Sequence, residues 1–303
     1  MKKFVIFGGG HGLMRLAEGI KIYEKLSGEY FEKTFILPVT DSGGSTGELR
    51  KLTNFKIIPV GDFRKIIITL AKYSNKNAYE FTSIFNEKFF DHKIGNLILL
   101  KLIEKYGVVN AFNILRKLLG IKEKIYPVCE RGDLTLYART IDNQIVEGEW
   151  NIENQPHSKI IEVWIEPEAE AEYYVIKEIE NADLIIFSPG SLYGSVISCI
   201  LYKNLLKKLN KVNIPKIVFL NLKRDIETTG LDNILELCSV YEKYVDIDLY
   251  IANNKIISKD HYEPIYGINK ILYFDLIDEN NCKYHDPEKI AKYFGKILNC
   301  LNI

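Results

Sequence analysis

The chain predicts an α/β fold with a mostly parallel, doubly wound sheet and an embedded antiparallel β segment. Three observations carry that expectation. Short apolar runs alternate with helical patterns along most of the sequence. Loops rich in glycine and small polar residues join several of these runs to the helix that follows. One central stretch breaks the alternation and reads as consecutive short strands.

Residues 4–7 form a continuous apolar run, as a strand buried on both faces requires. Beyond the glycines, Leu13, Leu16, Ala17, Ile20 and Tyr23 share one helical face, and residues 34–39 read as the second strand. This strand–loop–helix–strand opening starts a doubly wound sheet. Residues 62–119 are mainly helical with a break near Asp91, and 94–106 is apolar enough for a helix inside the protein. Short strands follow at 125–129, 134–141, 144–149 and 159–165, with Asp142-Asn143 as a hairpin turn. The α/β pattern then resumes: helix 171–182, strand 184–187, helix 195–209, strand 216–220 and helix 231–244. Strands at 248–252 and 271–274 and a closing helix at 287–301 complete it. With no repeat and no low-complexity linker, a single domain over 1–303 with a β-rich segment at about 124–166 is the simplest organisation.

Composition narrows the function class. The 303 residues are 47% apolar, enough for a sizeable core, and 40 basic residues balance 40 acidic ones. That balance gives no broad attraction to nucleic acid or an anionic membrane. The five cysteines are scattered without C-x-x-C spacing, as expected of reduced thiols rather than a zinc or redox site. The apolar run at the N-terminus is too short for a signal-peptide core, and no run reaches the roughly 18 residues of a membrane span. A cytoplasmic protein is expected.

The chemistry is concentrated in loops. Gly8-Gly9-Gly10-His11-Gly12 lies between the first strand and the first helix, where glycines let the backbone approach a phosphate at a helix N-terminus. Leu13 stands where the third glycine of a dinucleotide fingerprint would fall, which argues against an NAD enzyme. The second strand leads into Asp41, Ser42, Gly43, Gly44 and Ser45, and Asp41 is placed to hold a ribose hydroxyl or to ligate Mg²⁺ on a phosphate. Asp62 fits a helix N-cap, and Arg64 two residues on has the reach for a phosphate or a carboxylate. Asn96, heading an apolar helix, needs a partner if buried. The loop Ser188-Pro189-Gly190-Ser191-Leu192-Tyr193-Gly194-Ser195 offers hydroxyls, with Tyr193 suited to stack on a base or sugar. It lacks the lysine of a P-loop and the G-x-S-x-G of a hydrolase elbow. In the loop beginning at Asn221, Lys223 and Arg224 are natural counter-charges for a diphosphate, and a charged surface turn is the plain alternative. The remaining histidines, His157, His261 and His285, have no neighbours at metal-ligand spacing.

GGGHGL at 8–13, DSGGSTG at 41–47, GDFRK at 61–65, HKIGN at 92–96, SPGSLYGS at 188–195 and N-x5-ET-x-G at 221–230 occur in order. Together they resemble the YvcK/CofD-like family, also called the gluconeogenesis factor family, from residue 3 to about 232 and more weakly beyond. The resemblance implies a three-layer Rossmann-like α/β/α fold. One branch of the family transfers a phospholactyl group from a guanosine diphosphate donor to a deazaflavin, with Mg²⁺. The other binds UDP-sugars and is linked to gluconeogenic growth, cell shape and wall synthesis. The PGSLY loop belongs to the second branch, since the transferases carry a Ser-Asn-Pro element there. Three departures stand out: His11 for Thr, Ser42 for a second Asp, and Lys65 for Asn. Loss of one of two adjacent carboxylates weakens a Mg²⁺ site.

The resemblance thus implies a regulatory protein that binds a nucleotide diphosphate sugar such as UDP-N-acetylglucosamine. Its ligand contacts would come from residues 8–12, from Asp41 to Ser45, and from Arg64, Asn96, Gly190, Ser191, Tyr193, Ser195, Asn221, Lys223, Arg224, Glu227 and Thr228. The alternative is a Mg²⁺-dependent transferase with Asp41 as metal ligand or base. Neither reading invokes nucleic acid or membrane insertion; both leave room for a homodimer and for protein partners in regulation.

Overall fold

The computed structural model describes residues 1–41, 43 and 57–303. Among the described residues twelve strands run in chain order: β1 (Lys3–Phe7), β2 (Glu32–Leu37), β3 (Lys88–Phe89), β4 (His92–Lys93), β5 (Lys124–Pro127), β6 (Thr135–Thr140), β7 (Ile145–Glu147), β8 (Ile160–Glu166), β9 (Leu184–Phe187), β10 (Lys216–Phe219), β11 (Leu249–Asn253) and β12 (Ile271–Phe274). Seven of them form one sheet in the order β12-β11-β10-β9-β1-β2-β5. Every neighbouring pair in it is parallel.

The central strands β9 and β10 are buried along their whole length, and β1 from Phe4 onward. Strands covered on both faces need no polar alternation, which is why the continuous apolar runs predicted them. From β1 the chain lays down β2 and β5 on one side, then crosses back to add β9 to β12 on the other. The order therefore reverses between β1 and β9, and a crevice opens outside the carboxyl ends of these two strands. The helix Gly10–Ser27 leaves β1 directly and packs against the closing helix Pro287–Cys300. Their approach is so close that a Cβ on Gly19 would lie 2.6 Å from Ile290 Cγ2.

Four details differ from expectation. Residues 124–127 are not part of the antiparallel segment; they pair parallel with β2 at the edge of the main sheet. The antiparallel sheet is β7-β6-β8, with the hairpin turning at Asn143 in the left-handed region (φ 62°). A short helix, Glu149–Asn154, follows β7 where only strand and loop were expected. After β9 comes one wide π-helical turn, Leu192–Ile197, and the regular helix Lys203–Lys211 begins only beyond it. The helix Ile94–Tyr106 buries one face rather than all sides. All five cysteines are free thiols, and Cys129, Cys199 and Cys238 are buried. Among the described residues, no helix is long and apolar enough to cross a membrane.

Candidate ligand-binding cleft

The crevice at the strand-order reversal is a cavity of about 710 Å³. Its floor is where the loops after β1 and β9 touch. A Cβ on Gly12 would lie 2.0 Å from the Pro189 carbonyl oxygen, and one on Gly9 would lie 2.3 Å from Asp62 Oδ2. Gly8 is pressed against Ser188 with φ at 139°. Gly12 lets two backbones meet where a side chain would hold them apart, and Gly8 and Gly9 make room for the Ser188 and Asp62 side chains.

The helix Gly10–Ser27 begins here. Its N-cap, Gly9, has no side chain to offer, and its first turn holds no acid. Asp62 was expected to cap its own helix but lies in the first turn of Gly61–Ala71. Its Oδ2 accepts from Gly10 N–H across the cleft (2.8 Å), while its Oδ1 accepts from Lys65 Nζ (2.9 Å). The next amides of the first turn, His11 and Gly12, belong to residues that line the cavity. An open N-terminus of an 18-residue helix carries partial positive charge and free donors, the combination that binds anions.

Gly10, His11, Gly12, Asp41, Gly43, Gly190, Ser191, Ser195, Asn221, Lys223 and Arg224 all line the cleft. Asn221 Oδ1 accepts from Gly190 N–H (3.1 Å), tying the loop after β10 to the loop after β9. Arg224 donates to the Lys259 carbonyl (2.6 Å), while among the described residues the Lys223 ammonium has no ion pair. Partial burial and the neighbouring Lys65 push the His11 imidazole below its usual pKa. Ser42, Gly44 and Ser45 lie outside the described residues.

Other expected ligand contacts have internal duties. Tyr193 is 3% exposed, so its ring is packed in the core and has no face for stacking on a base. The Glu227 carboxyl, 2% exposed, accepts from Ser191 Oγ (2.7 Å), Tyr193 N–H (3.0 Å) and Leu192 N–H. It is the internal cap of the π-helical turn. Thr228 Oγ1 donates to Asp225 Oδ1 (2.9 Å), and Thr228 N–H also donates to that oxygen (3.1 Å), closing a local turn. Arg64 and Asn96 are each other's partners, through Nε–H and Oδ1 at 2.9 Å, and neither lines the cleft. Arg64 is 7% exposed and donates also to Asn86, which satisfies a guanidinium that the apolar helix Ile94–Tyr106 would otherwise strand.

Two functional candidates were missed. The helix Glu149–Asn154 sets Glu149 and Glu153, one turn apart, into the cleft wall beside Gly194. Their carboxyls are hydrogen-bonded to one another. Burial, then Glu153 and Asp41, pushes Glu149 up to about 10, and burial raises Glu153 as well. Glu-x-x-x-Glu in a stretch of apparent strands carried no signal beyond helical spacing. His285 also lines the cleft; burial pushes it down to about 4, leaving a neutral ring.

Among the described residues, no three His, Cys, Asp or Glu side chains converge as metal ligands. Asp41, whose Oδ1 accepts from Gly43 N–H (2.8 Å), lines the cleft.

A parallel sheet with a cleft at its order reversal defines an α/β protein of the open, doubly wound class. The family model for the 2-phospho-L-lactate transferase CofD matches residues 4–284. The chain belongs to that family. It is similar to a putative gluconeogenesis factor of Thermotoga maritima, 37% identical over 269 residues, 86% of this chain and 82% of that protein. The gluconeogenesis factor of Listeria monocytogenes is 29% identical over 310 residues, covering 95% and 93%. The crystal structure of a UPF0052 family member from Bacillus halodurans superposes with a TM-score of 0.85 at 24% identity, over 96% of this chain and 99% of that one. It shares the fold.

Proposed function

We propose that this protein binds a nucleoside diphosphate sugar, such as UDP-N-acetylglucosamine, in the cleft between the loops after β1 and β9. Its role is regulatory, of the gluconeogenesis-factor type tied to central carbon metabolism, cell shape and wall synthesis, in the cytoplasm and without turnover. The observation that supports this reading best is the start of the helix Gly10–Ser27, where Asp62 takes only the Gly10 N–H and the turn of His11 and Gly12 opens into the cleft that Lys223 also lines. Backbone N–H donors with a nearby ammonium suit a diphosphate.

A second reading keeps the family's transferase chemistry, with Asp41 as metal ligand or as the base that takes the proton of the accepting hydroxyl while the nucleotide of the donor leaves. Glu149 and Glu153 favour it, because they bring carboxyls near Asp41 where Ser42 lacks one. Calorimetry against UDP-sugars, GDP, NAD and a deazaflavin, with Mg²⁺ and with EDTA, separates the two. UDP-sugar binding should survive EDTA nearly unchanged. Binding that requires Mg²⁺, or turnover of a nucleoside diphosphate donor, replaces the regulatory reading with the transferase.

A further inference from the structure

The cleft is electrically lopsided, and its geometry orients the ligand. One pole is the open start of the helix Gly10–Ser27. The other is the helix Glu149–Asn154, whose two carboxyls lie on the cleft wall with Asp41 and Asp225, while Asp62 sits at the first pole on Gly10 N–H. Among the described residues neither Glu149 nor Glu153 forms an ion pair. They are packed onto the π-helical turn: a Cβ on Gly194 would lie 2.2 Å from Glu153 Oε1 and 2.9 Å from Glu149 Cγ. The neighbouring Ser195 is 7% exposed and lines the cavity. Its hydroxyl has no hydrogen-bond partner among the described residues, yet it is absent from the fully enclosed atoms that lack one. It therefore faces the cleft as a donor and acceptor awaiting a ligand. A Cβ on Gly10 would lie 3.9 Å from Ser195 Oγ, so this hydroxyl stands between the two poles.

We propose that Glu149 and Glu153 form the subsite for a hydroxyl-rich group carried on the diphosphate. The phosphates then lie at the start of the helix Gly10–Ser27 and the sugar against the helix Glu149–Asn154, with Ser195 at the junction. This rests on the proposed function and adds the orientation of the ligand and the residues that read its sugar. A phosphate is repelled from an acidic wall, whereas sugar hydroxyls donate to carboxylates through charge-assisted hydrogen bonds. Two hydrogen-bonded carboxyls share one proton, so the pair both donates and accepts, as a hydroxyl does.

The test is calorimetry of UDP-glucose and of UDP against the wild type, Glu149→Gln/Glu153→Gln and Glu153→Asp. The double variant should lose about tenfold or more in affinity for UDP-glucose, while UDP binds as before or more tightly. Glu153→Asp keeps the charge but withdraws the carboxyl by one methylene, and should show a smaller loss confined to the sugar ligand. Equal changes for both ligands, or none for either, overturn the subsite and leave the nucleotide site standing. A wild type that binds both ligands equally does the same. If the wild type binds neither, the proposed function and the subsite fall together.

Discussion

Gly12→Ala is the sharpest test of the cleft floor. The position has ordinary helical backbone geometry, so alanine brings no torsional penalty there; the whole effect is steric. The added methyl would lie 2.0 Å from the Pro189 oxygen, 2.3 Å from its carbonyl carbon and 2.8 Å from Gly190 N. All three are backbone atoms, which cannot rotate away as a flexible side chain would. Contacts of Cβ under 3.0 Å essentially never occur, so the loops after β1 and β9 must separate by at least 1.0 Å along the Pro189 contact. Overpacking of this kind costs about 1–3 kcal/mol, and rigid neighbours put it near the top of that range. In a chain of this size that lowers Tm by roughly 3–5 °C.

Gly28→Ala is the matched control. Gly28 ends the same helix in the left-handed region (φ 76°), and nothing lies within 4 Å of its added Cβ. Its cost is conformational, about 1 kcal/mol. Thermal unfolding and UDP-sugar calorimetry on both variants should give a larger loss of stability for Gly12→Ala. Ligand affinity should fall at least tenfold in that variant and stay unchanged in Gly28→Ala. Equal stability and equal affinity in the two variants would refute direct backbone contact as the floor of the site.

Three further outcomes follow from the geometry. Lys223→Ala/Arg224→Ala should weaken UDP-sugar binding at least tenfold with the fold intact, at about 1.5–3 kcal/mol for each charge-assisted bond. Lys223→Ala should account for most of it, because Arg224 already donates to the Lys259 carbonyl; unchanged affinity in the double variant would return both to a solvated turn. Asn96→Leu should orphan Arg64 Nε–H and cost about 1–3 kcal/mol in chemical denaturation while leaving ligand affinity alone. Glu149 is held near 10 in the fold, above its ordinary 4.5, so the folded state binds more protons than the unfolded one between those values. Stability therefore falls as pH rises through that window, and Glu149→Gln should flatten the fall and gain about 1 kcal/mol at pH 8, the shift being discounted for a half-buried group. A pH–Tm profile parallel to the wild type would disprove it.

The parallel sheet was legible because its strands are covered on both faces, so that burial is written as uninterrupted apolar runs at 4–7, 184–187 and 217–220. The cleft was legible because close backbone contact leaves only glycine at positions such as Gly9 and Gly12. What escaped depends on partners distant in sequence. Lys124–Pro127 looks like any short strand, and only its pairing with Glu32–Leu37 makes it a parallel edge. Arg64 and Asn96 are 32 positions apart, and nothing local says that each satisfies the other. Tyr193 carries an aromatic ring in a glycine–serine loop, which invites a stacking role, but the π-helical turn directs it into the core. Glu149 and Glu153 come from a segment whose alternation hides a six-residue helix.

The two small-residue loops at the sheet edge look alike in sequence, and their chemistry is opposite. After β9, the amides of Leu192 and Tyr193 and the hydroxyl of Ser191 are all taken by the Glu227 carboxyl, which arrives on the loop after β10. The protein supplies its own carboxyl to that helical turn and keeps it out of water. After β1, Asp62 reaches only as far as Gly10 N–H, and the helix start beyond it is left to His11 and Gly12 on the cavity wall. The proposed ligand phosphate would therefore meet one open helix start rather than two. Because Gly12 and Pro189 are in contact, that start lies beside Gly190 and Asn221, with Lys223 on the same wall. On the proposed reading Glu227 serves the site without touching the ligand: by filling the second set of donors, it fixes the loop that carries Gly194 and Ser195 and would leave phosphate a single place to bind.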